Sequence, residues 1–96
     1  MSKSYYRNKI ASKRKDIVSL RQDIKDVKDK KKRKVEAINR QIKSAATSKS
    51  SKERLRKDKI KLSTDTANKV DKLKLKIENI KKDIESLKKS LAAAKK

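Results

Sequence analysis

VDKLKLKIENIKKDIESLKKSLAAA, residues 70–94, is the stretch that decides the fold. Its apolar residues fall at Val70, Leu73, Ile77, Ile80, Ile84, Leu87, Leu91 and Ala94, in alternating steps of three and four. On a helix that spacing draws one narrow apolar line, the heptad seam by which a helix packs along a second helix. Val70, Ile77, Ile84 and Leu91 form a first row, and Leu73, Ile80, Leu87 and Ala94 a second. Leu75, Ala92 and Ala93 are the remaining apolar residues in the stretch, so the helix carries one mating stripe rather than an apolar circumference.

A mate for this stripe lies at the other end of the chain. Tyr6, Ile10, Ile17, Leu20, Ile24 and Val27 follow the same spacing, with Lys13 where one further apolar residue is expected. The pattern pauses over the basic block Lys28–Lys34 and resumes at Val35, Ile38 and Ile42. Val27 to Val35 is a step of eight residues instead of seven, which marks a local change of supercoil and not a helix end. Downstream, Leu55 and Leu62 lead into Val70, again with one eight-residue step. Between the two patterns, SAATSKSSK (residues 44–52) is small and polar, with Ala45 and Ala46 its only apolar residues. Ser50 with Glu53 three residues on matches a capping box that starts a helix.

The two eight-residue steps are mirror images about that polar segment. Folding the chain back so that facing residues sum to 97 pairs Ile42 with Leu55, Val35 with Leu62, Val27 with Val70 and Ile24 with Leu73. It also pairs Leu20 with Ile77, Ile17 with Ile80, Ile10 with Leu87 and Tyr6 with Leu91. Each row then faces the other row of its partner, as an antiparallel coiled coil requires, and polar Lys31 faces Thr66 where the shifts meet. The expected fold is all-α: a single antiparallel two-helix hairpin, helix about 4–44, loop about 45–50, helix about 51–94. Lys13, Lys31, Ile38–Lys59 and Thr66 make the imperfect layers, where lysine stems are expected to snorkel out of the seam. Leu75 and Ile60 fall off it.

Composition agrees with long helices and a thin core. The 96 residues include no Gly, Pro, Cys, His, Trp or Phe, so few turns are available. Apolar residues make up 32% and charged residues 47%, which suits either disorder or an extended helical pair, and the regular seam selects the second. A net charge of +21, from 33 basic and 12 acidic residues, opposes close packing and favours acidic or polyanionic partners. No apolar run has the length of a signal peptide or membrane span, so a cytoplasmic protein is expected, with any export by a signal-peptide-independent route alongside a partner.

The residue types exclude most catalysis. Without His or Cys the usual general base, thiol nucleophile and zinc ligands are missing, and without Gly no phosphate-cradling loop can form. No catalytic, cofactor or metal site is expected. The carboxylates sit near basic residues (Asp16 with Arg21, Glu78 with Lys82, Asp83 with Lys88), as on a solvated helix surface.

Positive charge is the remaining signal. Residues 25–61 carry 16 basic and 5 acidic side chains, a net of +11. Lys28, Lys30, Lys31, Lys32, Arg33 and Lys34, with Lys52, Arg54, Arg56 and Lys57, are candidate polyanion contacts. Lys outnumbers Arg 26 to 7 and no aromatics are interleaved, so base readout and stacking are not expected. A solvated Lys-rich surface accounts for the same residues equally well.

Ser4-Tyr5-Tyr6, Lys9-Ile10-Ala11 and Lys13-Arg14, followed by Ile17 and Leu20, together with the closing KIENIKKDIESLKKSL, resemble a known group. These are the small helical accessory proteins encoded beside LXG-type toxins of the Gram-positive type VII secretion system. The resemblance covers about residues 4–24 and 70–91. It implies a helical hairpin that pairs with the toxin's elongated helical LXG domain and helps present it for export. The chain has no Trp-x-Gly turn and no aromatic-x-x-x-acidic signal near its C-terminus.

A two-helix seam buries little surface against strong self-repulsion, so a further partner is expected. Self-association is open to it, but an acidic helical protein is physically easier. The leading expectation is an accessory, chaperone-like partner of an LXG toxin. The alternatives are a sequence-nonspecific nucleic-acid packaging protein and a structural coiled-coil component of a phage or mobile element.

Overall fold

The computed structural model describes residues 2–44 and 46–94. The chain is an all-α antiparallel helical hairpin of two helices, α1 (Lys3–Lys43) and α2 (Lys49–Ala93). It divides into two units. One, the terminal unit, joins Met1–Asp23 to Lys72–Lys96, and the other, the loop unit, is Ile24–Asp71.

Serines set the helix starts. The Tyr5 backbone N–H donates to the Ser2 hydroxyl oxygen at 3.3 Å, so Ser2 satisfies one of the first-turn donors that α1 cannot pair internally. At the start of α2 the Ser51 N–H donates to Ser48 Oγ (3.2 Å), whose hydroxyl donates to Ser51 Oγ (3.0 Å). The helix therefore begins two residues earlier than the Ser50–Glu53 capping box indicates, with Ser48 as its cap. Ser51 occupies the position three residues on where that box has a carboxylate. Three serines lie within four positions here, and their capping energies differ by less than tertiary context can override. Of the expected loop 45–50, Ala45 lies outside the described residues, and Lys49 and Ser50 belong to α2. The Ser44 N–H donates to the Gln41 carbonyl and the Thr47 N–H to the Ser44 carbonyl, both at 3.2 Å. No described residue takes a positive φ, which fits a reversal made without glycine.

In the terminal unit Ile10, Ile17, Ile77 and Ile84 are buried, each 6–7% exposed. Tyr6, Lys13, Leu20, Leu73, Ile80, Leu87 and Leu91 are half-buried, and every described residue between them on the outer faces is exposed apart from Lys3 and Ala94. Burying an Ile side chain contributes on the order of 2 kcal/mol, so these four residues are the main source of packing energy in this unit. The Lys13 ammonium lies 3.5 Å from Asp83, a partner on the opposite helix whose number sums with it to 96. Asp83 was expected beside Lys88; instead Lys88 pairs with Glu85 (3.5 Å) and Glu78 with Lys81 (3.7 Å) rather than Lys82. Residues three and four apart both neighbour one another on a helix, so rotamers choose between them.

The loop unit has a different interior. Val70 is buried at 6%, and so is polar Thr66 at 8%. Ile24, Val27, Lys31, Val35, Ile38, Ile42, Leu55, Lys59 and Leu62 are half-buried. Val27–Lys31–Val35 on α1 and Leu62–Thr66–Val70 on α2 each take two consecutive steps of four, which is how the seam absorbs the eight-residue shifts. Lys59 Nζ donates to Asn39 Oδ1 at 2.7 Å, a cross-helix bond whose residue numbers sum to 98. The lysine leaves the Ile38 layer by finding an acceptor one residue along. This bond and the Lys13–Asp83 pair bracket a register of 97 independently in the two units.

Candidate interaction surfaces

The ten residues expected to contact a polyanion do not form one site. Lys28, Lys30, Lys32, Arg33 and Lys34 are exposed on α1, whereas Lys31 is half-buried on the seam. On α2, Arg54, Arg56 and Lys57 are exposed and Lys52 is half-buried in the first turn. Lys32 and Arg33 share a shallow depression with Asp29 and Glu36 on the same helix, so carboxylates offset their charge locally.

Lys30, Lys31 and Lys34 are brought together. They line a small pocket of about 130 Å³ with Val27, Leu62, Thr66 and Lys69, and no carboxylate is among its lining residues. The two helices supply it because the seam steps through the polar Lys31–Thr66 layer there, leaving room that an Ile or Leu would fill. Four lysines lining one carboxylate-free pocket beside Thr66 make a local anion-attracting notch. Lys69 was missed from sequence; its place just before Val70 on the α2 seam is the signal that could have found it.

A second surface lies on the terminal unit. Arg14, Arg21, Lys81 and Lys88, with the carboxylate of Glu85 among them, rim an open groove of about 530 Å³ whose floor includes Ile17 and Ile84. Val18 forms part of its wall and is 65% exposed. None of the four basic residues is among the candidate contacts read from the sequence, where Arg21 and Lys88 stand as neighbours of carboxylates and Arg14 within the family resemblance. Their signal is the repeat of arginine at 7, 14 and 21, one residue after a seam position each time.

The remaining outer features are isolated. Ile60 (69% exposed) and Leu75 (61%) stand apart from the seam, and Tyr5 packs edge-on against Tyr6 with ring centroids 5.3 Å apart. Among the described residues no cluster of three or more His, Cys, Asp or Glu could hold a metal ion, and no helix is long and apolar enough to cross a membrane. The chain matches no protein-family model, no curated protein and no solved structure.

Proposed function

We propose that this chain is a non-enzymatic helical interaction protein, an accessory partner that pairs with the elongated helical LXG domain of a type VII secreted toxin and accompanies it toward export. The observation that carries the reading is the thin core. A hairpin with five buried apolar side chains among its described residues and a net charge of +21 gains stability from any helix that covers its seam edges. The N-terminal Ser4-Tyr5-Tyr6 and Lys9-Ile10-Ala11 supply the resemblance that names the partner class.

Co-expression with an LXG domain tests it. A stoichiometric complex on gel filtration at 0.3 M salt, with a raised thermal midpoint for the hairpin, is the expected result. A folded hairpin that elutes alone beside a folded LXG domain would sink the reading.

The notch at Thr66 favours a second reading, sequence-nonspecific nucleic-acid binding. If Lys30, Lys31, Lys34 and Lys69 each neutralise a phosphate, log affinity for duplex DNA falls against log salt with a slope of about −3.6. The slope should drop by about 0.9 for each of these lysines replaced by Gln, and a slope indifferent to all four removes the reading.

A further inference from the structure

Among the described residues, those that directly follow the second-row seam positions of the terminal unit (Tyr6, Lys13 and Leu20 on α1, Leu73, Ile80 and Leu87 on α2) are Arg7, Arg14 and Arg21 on α1 and Lys74, Lys81 and Lys88 on α2, six in all. All six are basic. In an antiparallel pair these positions of the two helices line the same flank. The opposite flank is formed by the residues just before the first row: Lys9, Asp16 and Asp23 on α1, with Lys76, Asp83 and Ser90 on α2. It carries two basic and three acidic residues. The excess charge of this unit is therefore sorted onto one side of the seam.

That side also carries the open groove. Its floor, Ile17 and Ile84, belongs to the buried first row, which the long stems of the neighbouring Arg and Lys help to cover. Glu78 and Glu85 pair with Lys81 and Lys88. Among the described residues Arg14 and Arg21 make no ion pair, and both are exposed, with Val18 between them on the helix surface.

We propose that this flank of the terminal unit docks an acidic amphipathic helix of a partner protein, its carboxylates on Arg14 and Arg21 and its apolar stripe against Val18 and the groove floor. The proposal rests on the helical-partner reading above and assigns it a face. Arginines seven residues apart recur every ~10.5 Å along a helix, so carboxylates at i and i+7 of a helix lying alongside meet them in step. Arginine suits this role because its planar fork takes a carboxylate bidentately. A phosphate backbone would use the arginines but gains nothing from Val18. A second copy would set six basic side chains against six. The opposite flank, with half-covered apolar edges and charges of both signs, selects no particular occupant.

The test uses the full chain and a synthetic 21-residue peptide with Glu at positions i, i+7 and i+14 beside a leucine stripe. A scrambled peptide of the same composition and a 20-base-pair DNA duplex are the comparators. Binding at 0.15 M salt is measured for the wild type, R14Q/R21Q, V18N and the loop-unit control R54Q/R56Q, with circular dichroism confirming equal helicity. The expected result is at least tenfold tighter binding of the ordered peptide than of its scramble. R14Q/R21Q should lose at least tenfold, V18N three- to fivefold and R54Q/R56Q less than twofold. Equal loss in both double variants, or equal binding of ordered and scrambled peptide, overturns the proposal in favour of diffuse attraction. DNA binding that depends on Arg14 and Arg21 while no variant changes peptide affinity overturns it in favour of a phosphate track. An LXG domain that binds R14Q/R21Q as tightly as wild type overturns the face and leaves the proposed function standing. Peptide binding at the flank with no LXG complex does the reverse.

Discussion

The terminal unit and the loop unit carry nearly the same charge and differ in what lies between their helices. The first has 16 basic and 5 acidic residues, the second 17 and 7, net +11 and +10. Repulsion is therefore about equal in the two. Among the described residues, four of the five buried apolar side chains belong to the terminal unit, against Val70 alone in the loop unit. The loop unit replaces the others with a threonine, two lysines and a hydrogen bond to Asn39. What separates the units is how completely apolar side chains fill the seam, and the unit that fills it poorly holds the anion-attracting notch. A polar layer that weakens packing also keeps cationic groups together at the surface.

The comparison can be broken most sharply at its strongest point. Ile77→Asp places an unpaired carboxylate in the terminal seam and should cost more than about 3 kcal/mol, abolishing the helical signal at 222 nm at low salt. Ile38→Asp, in a half-buried layer beside Lys59, should leave most of that signal in place. Equal collapse of both variants would mean that the units do not differ in packing. Replacing the polar layer, Lys31→Ile with Thr66→Ile, should stabilise the hairpin by about 1–2 kcal/mol, read as a higher thermal midpoint, because apolar layers of this volume outperform polar ones in a seam. A lower midpoint would show that Thr66 is not packed as a layer. Ser48→Ala removes the cap of α2 and should cost about 1 kcal/mol, whereas Ser50→Ala should change the midpoint hardly at all. Smallest of all, Asp83→Asn removes a partly exposed ion pair with Lys13 and should cost no more than about 0.5 kcal/mol, an effect that disappears in 0.5 M salt.

Most of the fold could be read from apolar spacing. Val70 to Leu91 and Tyr6 to Val27 announce two mating stripes, and their mirrored eight-residue steps set how they meet, because each seam residue must find a partner at its own height. The cap of α2 was less legible. Ser48, Ser50 and Ser51 are chemically equivalent, and the choice among them depends on where the reversal delivers the chain. Ion pairs were harder still: Asp83 reaches Lys13 across the seam instead of a neighbour on its own helix, a choice worth a few tenths of a kcal/mol. The sorting of charge onto one flank was present in the sequence but visible only once every residue had a position relative to the seam. Arg14 and Arg21 look like two more basic residues among 33 until Ile17 and Val18 are placed between them.

The polar layer of Lys31 and Thr66 also bears on which wrong structures this chain avoids. A regular heptad hairpin can slide by seven residues and find every apolar layer again, so an unbroken repeat would admit several near-equal alignments. Here a slip to facing sums of 90 would set Lys31 against Lys59 and Thr66 against Ile24, burying like charges together and stranding a hydroxyl on an isoleucine. A slip the other way, to 104, sets Lys31 against Leu73 and Thr66 against Ile38. Both polar residues are at home in one alignment alone. The layer that costs the loop unit its tight packing thus works as a notch key, admitting a single alignment of two otherwise repetitive helices.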